Sequence, residues 1–443
     1  MPGSPDARQA VSRAESRSRR DAFPLGATVT MRDLDGALHP LLRRLRASEP
    51  VSWLPVLDGW LVTRRDLALR ILRDSATFTV DDPRFSTARV IGPSMLSLDG
   101  SEHARHREPF AEAFRRAEVQ AGLAEFVMAE AGRLVSGFAG TGRAELRRGL
   151  AGPLAVAVVA EVLGLGQTDP QAVLSWYDEI VGAVSALAGE SGPRGTHGAG
   201  TAGTAGVAGT ASAAGTASAA GTAVAAGTTG AAGAEAFAKL TARLEEAISR
   251  AGGDSLLAAA ARDDGLRDGE VVSNAAVLMF GGIETTEGMI CNAVLPLLAR
   301  PGPLRELQAD PGLVGNAVEE SLRLEPAAAV VDRYATADVT LADARIRAGD
   351  LVTVSLAGAG RDPAFFPDPD RFDVRRANAR QNLAFAHGPH FCLGAHLARL
   401  EASAAVTMLL RMLPGLRLDP ARPAAVRGVV FRKPPTLHVL WDV

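Results

Sequence analysis

A cysteine placed just before a predicted helix has the clearest potential for chemistry in this chain. Residues 385–394 read FAHGPHFCLG, with the cysteine at position 392, and a helical pattern follows from Ala395 to Leu410. Backbone N–H groups and the helix dipole at the start of a helix stabilise a thiolate over a thiol. Cys392 is therefore predicted to be a metal ligand.

Two other interpretations of this cysteine stay open on the residues alone. Four possible zinc ligands occur here, namely His387, His390, Cys392 and His396. Their spacing contains neither a CxxC nor an HxxxH pair, and structural zinc requires four closed ligands. A lone structural cysteine would leave the neighbouring glycines and aromatic residues without a role. Because Cys291 is the other cysteine of the sequence, no disulfide framework is expected and a reducing cytoplasm is the natural setting.

A glycine pair interrupts the middle of the longest predicted helix. The helical pattern runs over residues 268–298, with a kink expected at Pro296 and a stop at residues 300–301. Residues 281–286 read GGIETT, and each glycine costs a helix about 1 kcal/mol relative to alanine. The segment indicates either a functional site, with an acid beside two hydroxyls, or close packing of another helix against small residues.

The remaining elements are mostly helices rich in Ala, Leu, Arg and Glu, so the predicted class is mainly α with small β-sheets. Four short strands are predicted, at Val51–Leu54, Trp60–Thr63, Val352–Ser355 and Leu437–Trp441. Glu320 and Arg323 are spaced i,i+3 on one helix face and can form an ion pair, which Arg375 could complete as a third member.

Length, charge and composition limit the kinds of protein this can be. The 443 residues carry a formal net charge of -3, which gives no reason to expect a nucleic-acid or membrane partner. No apolar run reaches the roughly 18 residues of a membrane span. Residues 1–22 are predicted to be a disordered tail. Residues 189–233, rich in Ala, Gly and Thr, are predicted to be a flexible insertion between helices at 172–187 and 234–251.

The cysteine segment resembles the haem-binding signature of the cytochrome P-450 family. That pattern is Phe, Gly, any, Gly, any, His or Arg, any, Cys, any, Gly, and the matching residues are Phe385, Gly388, His390, Cys392 and Gly394. Ala386 stands where the family usually has glycine, a change that could stiffen the loop without removing a ligand. Four further segments resemble the family in the same order along the chain: 98–107, 281–286, 320–323 and 361–375.

The resemblance implies a bacterial-type haem-thiolate monooxygenase. Residues 23–443 would form one domain of the cytochrome P-450 fold, with haem b between the long central helix and the helix after the cysteine. Cys392 would be the axial thiolate, which favours cleavage of the O–O bond. Thr285 and Glu284 would supply protons to the reduced oxygen, and Thr286 would pack in the core.

The resemblance also assigns roles to side chains around the haem. The residues expected at the haem propionates are His103, Arg107, Arg333 and His390, although Arg333 could instead pair locally with Asp332. Glu320, Arg323 and Arg375 are expected to form a structural network. The residues expected to contact substrate are Phe280, Val330, Val331 and Val430, together with Val429 and the loop at 81–96, and these side chains could equally be ordinary core.

Oxygen and electrons must reach such a site from outside this chain. No flavin, nucleotide or iron–sulfur motif occurs, so we expect an external NAD(P)H-linked ferredoxin or flavodoxin with its reductase. Arg105, Arg115 and Arg399 could receive this acidic partner. The expected protein is a cytoplasmic monomer that acts on dioxygen and a small hydrophobic substrate. The alternative is a haem protein that binds a ligand or gas without turnover, against which the Glu284–Thr285 pair argues.

Overall fold

The computed structural model describes residues 17–165, 173, 238–239, 241–246, 256–262 and 265–443. The predicted class is confirmed, because helices dominate and the sheets are small. The helices are α1 (Pro24–Ala27), α2 (Met31–Asp35), α3 (Leu38–Ser48), α4 (Arg65–Arg73), α5 (Ser86–Ile91), α6 (Gly100–Ala111), α7 (Arg116–Gly122), α8 (Ala124–Ser136), α9 (Gly152–Leu163), α10 (Leu256–Arg262), α11 (Asp268–Ala299), α12 (Pro301–Ala309), α13 (Val314–Leu324), α14 (Leu356–Ala359) and α15 (Ala395–Met412). The predicted insertion at 189–233 lies outside the described residues, as do most of its flanking helices.

Three small sheets accompany the helices. The strands are β1 (Val51–Leu54), β2 (Gly59–Val62), β3 (Phe78–Thr79), β4 (Arg143–Glu145), β5 (Val330–Ala335), β6 (Val339–Leu341), β7 (Ala344–Ile346), β8 (Leu351–Ser355), β9 (Arg417–Leu418) and β10 (His438–Leu440). The largest sheet has the order β1-β2-β8-β5-β3, with β2 and β8 parallel and its other neighbours antiparallel. The other two sheets have the orders β4-β10-β9 and β6-β7. All four predicted strands occur, with ends shifted by at most one residue.

The central helix α11 is buried on most of its faces, as its nearly continuous apolar sequence requires. It begins one residue after Arg267, whose backbone N–H donates to Glu270 at 3.0 Å, and it continues through Pro296 to Ala299. Its second glycine is explained by packing, since a Cβ at Gly282 would lie 2.7 Å from Val159 of α9. Close packing is therefore part of the reason for the glycine pair.

The largest apolar cluster is formed where the C-terminal half of α11 meets α8, α13 and α15. Leu409 of α15, Val135 of α8 and Ile290 of α11 each expose 1% or less of their surface. Burying such a side chain contributes roughly 1.5–3 kcal/mol. This cluster fixes α15, and with it the cysteine loop at the N-terminus of α15, against the central helix. Within the described residues, no helix is long and apolar enough to cross a membrane.

The prediction of a disordered tail over residues 1–22 is wrong for residues 17–22, which are helical. Arg19 lies over the rings of Trp53 and Trp60, at 4.3 and 5.4 Å from their centroids, and pairs with Asp350 at 2.9 Å. Because an arginine both stacks on aromatic rings and forms an ion pair, this short segment is held against the largest sheet. Residues 1–16 lie outside the described part of the chain.

Candidate active site

Backbone hydrogen bonds shape the loop that carries Cys392. The Cys392 N–H donates to the carbonyl of Phe385 at 3.0 Å, and the Phe391 N–H donates to that of Gly388 at 3.0 Å. Residues 388–390 form a single 3-10 turn, and α15 begins three residues after the cysteine. Cys392 therefore lies at the start of the helix, as predicted.

Two residues of the loop have left-handed backbone conformations. Gly388 has φ of 75°, and a Cβ at this position would overlap the carbonyl oxygen of Leu72. Ala386 has φ of 58°. The family pattern has glycine there because a residue with a side chain in this region carries about 1–2 kcal/mol of strain. This chain keeps that strain at Ala386.

Opposing effects act on the Cys392 thiol. Part of the side chain is exposed, yet the protein atoms around it raise the pKa of the thiol. The Gly394 N–H and the guanidinium groups of Arg107 and Arg399 act in the opposite direction. The other cysteine, Cys291, is buried in α11, and burial raises the pKa of its thiol well above the usual range. Of the two cysteines, Cys392 alone combines accessible surface with nearby cations.

Two of the predicted propionate ligands lie side by side. The rings of His103 and His390 have centroids 4.3 Å apart, and His390 Nε2 lies 2.8 Å from Asp99 Oδ1. His103 is buried, and its Nε2 has no hydrogen-bond partner among the described residues. A buried polar atom of this kind is uncommon in folded proteins, and a bound ligand would supply its missing partner.

The two arginines predicted at the propionates each donate to a backbone carbonyl. Arg107 donates to the carbonyl of Phe391 at 2.6 Å, next to the cysteine. Arg333 is 95% buried and donates to the backbone carbonyl of Asp332 at 2.7 Å. The Asp332 carboxylate instead accepts from Thr353 at 2.7 Å, so the alternative of a local ion pair between Arg333 and Asp332 is not formed.

The basic groups around the loop fit a haem. A haem b carries two propionates, which require cationic and N–H partners. Arg333 has five N–H donors and makes one hydrogen bond to the described part of the protein. Together with the unpartnered Nε2 of His103, the donor set matches a buried dianion beside a cysteine thiolate.

The central helix presents the predicted acid–alcohol pair one turn after its glycines. Thr285 Oγ1 donates to the carbonyl of Gly281, and Thr286 is buried, as expected for packing. A Cβ at Gly281 would meet no described protein atom within 4 Å, which contrasts with Gly282. Glu284 Oε1 accepts from Lys433 Nζ at 2.7 Å. The hydroxyl and the carboxylate thus occupy adjacent positions, with the carboxylate held by a cation that the sequence did not suggest.

A buried charge network ties α13 to the segment that precedes the cysteine loop. Arg323 donates to both carboxylate oxygens of Glu320, at 2.7 and 2.8 Å, and also to the carbonyls of Gly360 and Pro369 at 2.8 Å. The third member is Arg376, whose Nε lies 2.9 Å from Glu320 Oε1.

The sequence-based choice of Arg375 for this network is wrong. Arg375 pairs with Glu306 at 2.8 Å, and both side chains are exposed. The segment around residues 360–376 is irregular, so the spacing gives no periodicity from which the direction of its side chains could be inferred. The adjacent Arg376 is the residue that turns inward.

The predicted substrate-contact residues fall into different apolar clusters. Phe280 belongs to the same apolar cluster as Ile91 and Met95 of the predicted loop. Val330 and Val429 pack against a cluster formed near the N-terminus, and Val331 packs against the cluster of the large sheet. Val430 is 46% exposed. Phe431, which sequence reasoning missed, meets Phe280 edge to face with ring centroids 5.6 Å apart. It lies in an irregular segment, where no periodic pattern marks it.

Comparisons with known proteins agree with this site. A family model described as "Cytochrome P450" matches residues 312–416. The chain is 34% identical over 405 residues to "Cytochrome P450 monooxygenase PikC" from Streptomyces venezuelae, covering 86% of this chain and 85% of that protein. It is 32% identical over 415 residues to "Mycinamicin IV hydroxylase/epoxidase" from Micromonospora griseorubida, covering 90% and 94%.

A solved structure has a fold similar to that of this chain. The crystal structure of CalO2 matches with a TM-score of 0.78 and 28% identity, covering 93% of this chain and 98% of that one. The identity to the two curated relatives extends well beyond the 105 residues or so that surround the cysteine motif. This chain therefore belongs to the cytochrome P-450 family, whose members are haem b monooxygenases that take electrons from an external redox partner.

Proposed function

We propose that this enzyme hydroxylates a largely apolar small organic molecule, with Cys392 as the axial thiolate of its haem. The observation that carries the haem assignment is the group of buried donors beside the cysteine loop, above all the unpartnered Nε2 of His103. When bound, the haem supplies the activation of dioxygen, and a thiolate ligand favours O–O cleavage. His103, Arg107, Arg333 and His390 would hold the propionates.

The balance of the reaction requires protons as well as electrons. Substrate RH, O₂, two electrons and two protons give ROH and H₂O. We assign proton delivery to Thr285, whose hydroxyl would hold a water near the oxygen, and to Glu284, whose carboxylate would relay protons from solvent. Their adjacent positions in the middle of α11 support this assignment, as does the space beside Gly281, where a Cβ would meet no described atom within 4 Å.

Apolar side chains support the proposed substrate class. Phe280 and Phe431 meet edge to face one residue from Gly281, and Met95 belongs to the same apolar cluster. A pocket with such a lining favours a hydrophobic or amphipathic compound. The relative from Micromonospora griseorubida is named for hydroxylation and epoxidation of mycinamicin IV. Phe280 and Phe431 are therefore the first candidates for substrate contact.

We propose that an acidic ferredoxin or flavodoxin docks on the arginine-rich surface beside the cysteine loop. Arg73 and Arg116 are exposed. Burial lowers the pKa of His387, and the charge of Arg73 lowers it further. The backbone of Arg73 packs against Gly388 of the cysteine loop. Two of the sequence-based candidates are already engaged, because Arg105 pairs with Glu270 at 2.9 Å and Arg399 pairs with Glu319 at 2.7 Å. Electron transfer that is insensitive to salt would contradict this docking mode.

A cytoplasmic, monomeric enzyme without a nucleic-acid or membrane partner remains our proposal for its setting. The near-balanced formal charge of -3 and the two unpaired cysteines support it. The division into a tail ahead of one domain at 23–443 is likewise proposed, with the tail shortened by the ordered residues 17–22.

The test of the proposed reaction uses the haem-loaded protein with NAD(P)H, a ferredoxin, its reductase and isotopically labelled dioxygen. Apolar and amphipathic compounds are ranked by the change in haem spin state that they cause. One labelled oxygen atom in the product supports the proposal. Compounds that bind and are never oxidised, although the haem is reduced by the redox system, would support the alternative of a ligand-binding haem protein.

A further inference from the structure

Lys433 has an unusual place in the structure for a lysine. The 47 basic residues of the chain include lysine at positions 239 and 433 only, the rest being arginine. Lys433 Nζ lies 2.7 Å from Glu284 Oε1 and 2.7 Å from Glu287 Oε1. The three side chains are each between 12 and 13% exposed. One ammonium group therefore joins two carboxylates on the same face of the central helix.

The backbone that carries Lys433 is fixed against α11. Lys433 and Arg427 exchange two backbone hydrogen bonds, both 3.1 Å long. Asn292 of α11 donates to the carbonyl of Arg432 at 2.8 Å. A Cβ at Gly288 would lie 3.5 Å from the Cβ of Lys433 and 3.0 Å from that of Ala327, so glycine at this position permits the close approach. The ammonium is thus carried by a lysine whose backbone is fixed against the central helix, and not by a residue of a loose surface segment.

The charge of Arg147 acts on both carboxylates. Glu287 also accepts from Arg147 Nε, and Arg147 in turn donates to the carbonyl of Pro435 at 3.0 Å. Glu287 would therefore keep a cation if Lys433 were changed. Glu284 would lose the ammonium that now holds one of its oxygens. Loss of Lys433 would thus remove a cation contact of 2.7 Å from the carboxylate that precedes Thr285.

We propose that Lys433 is a positioning residue for proton delivery, which orients the Glu284 carboxylate beside Thr285. This inference rests on the roles proposed above for Glu284 and Thr285. A partly buried carboxylate that loses a cation in direct contact turns toward water or toward other donors, because a charge held away from water requires a close partner. Removal of the ammonium would then leave Glu284 present and wrongly placed, so reduced oxygen would escape as peroxide.

The contact itself is tested without turnover, by thermal unfolding of the haem-loaded protein. Lys433→Met and Glu284→Gln are each expected to lower the Tm. Each single change leaves the other charge without this partner. The decrease in Tm of the double variant should therefore be smaller than the sum of the decreases in the two single variants. Strictly additive losses would overturn the proposed linkage.

The consequence for proton delivery is tested with a bound substrate. Lys433→Met is expected to raise the peroxide fraction severalfold and to change the solvent deuterium isotope effect on kcat, while the KM for substrate stays the same. Lys433→Arg, which keeps the charge, should recover part of the coupling. Glu287→Gln is the matched control, because it removes the other carboxylate of Lys433, and it should couple like wild type.

The outcomes separate this inference from the proposed function. If Glu284→Gln and Thr285→Ala disturb coupling while Lys433→Met does not, the role of Lys433 is wrong and the proposed function stands. If Glu284→Gln itself couples like wild type, the proposed role of Glu284 is wrong, and the role of Lys433 falls with it. If Lys433→Met does not fold, Lys433→Gln, which also lacks the ammonium, decides, since a folded Lys433→Gln variant that couples like wild type overturns the inference.

Discussion

Arg376 Nε lies 2.9 and 3.0 Å from the two carboxylate oxygens of Glu320, whereas the preceding residue, Arg375, reaches the exposed Glu306. The two neighbouring arginines form a matched pair of sites. Arg376→Ala is expected to destabilise the protein by about 3–5 kcal/mol, because it removes a buried partner of Glu320. Arg375→Ala should change the free energy of unfolding by no more than about 0.5 kcal/mol.

Chemical denaturation and the ratio of haem to protein measure both effects. Arg376→Ala should also reduce haem loading, because Arg376 donates to the carbonyls of Pro367 and Asp368 in the segment that leads to the cysteine loop. Equal decreases in the free energy of unfolding and in haem loading for the two variants would show that the network is not centred on Glu320.

The cysteine loop offers a second matched pair. Ala386→Gly should relieve the strain at φ of 58°, which stabilises the fold by about 1–2 kcal/mol. The greater conformational freedom of glycine in the unfolded chain should offset about 0.4–1 kcal/mol of this stabilisation. The net expectation is a rise in Tm with unchanged haem loading. Gly388→Ala should do the reverse, because a methyl group there overlaps the Leu72 carbonyl. A lower Tm for Ala386→Gly would mean that the loop does not carry this strain.

Thr285 and its neighbour Thr286 test the proposed proton supply. Thr285→Ala should still consume reductant but divert oxygen to peroxide, because the hydroxyl that would hold a proton-donating water is gone. The buried Thr286 is the control, and Thr286→Ser should couple reductant to product as wild type does. The measurement is the yield of product and of peroxide per NAD(P)H consumed. Unchanged coupling in Thr285→Ala would remove Thr285 from the mechanism.

Acid should destabilise the protein in two steps through the pair formed by His39 and Glu325. Burial lowers the pKa of His39 from its ordinary 6.5, so its contribution to stability is complete above pH 6.5 and is lost as the pH falls. Burial disfavours the Glu325 carboxylate, but the bond from His39 and the charges of Arg432 and Arg361 lower its pKa to about 2. Its contribution is complete above pH 4.5 and is lost as the pH falls toward about 2.

Urea unfolding across a pH series measures this dependence. His39→Gln cannot take up the proton, so its stability should fall less steeply than that of wild type between about pH 7 and 5. Parallel stability curves for the two proteins would show that His39 does not titrate on unfolding.

Residues inside short motifs were predictable because local spacing decides their geometry. Glu320 and Arg323 meet because i,i+3 positions share a helix face, and Cys392 lies at a helix start because the helical pattern begins at Ala395. The break at residues 281–282 was visible in the sequence, but its two causes were not separable. Gly282 packs on Val159, a contact across more than 100 residues, whereas a Cβ at Gly281 would meet no atom of the described residues within 4 Å.

The residues that were missed come from irregular segments or from contacts far apart in the chain. Arg376 lies in a loop where side-chain direction follows no period. Phe431 and Lys433 belong to the C-terminal segment, and their partners lie in the central helix about 150 residues earlier. Arg19 looked like part of a polar tail because stacking on Trp53 and Trp60 leaves no trace in local composition.

The central claim is that Cys392 is the thiolate ligand of a bound haem. The most direct test is the absorbance difference spectrum of the purified, dithionite-reduced protein with and without carbon monoxide. We expect a strongly red-shifted Soret band, typical of a thiolate ligand, in the wild type, and its loss in Cys392→Ser. A band typical of a histidine ligand in the wild type, or the same red-shifted band in Cys392→Ser, would contradict the claim.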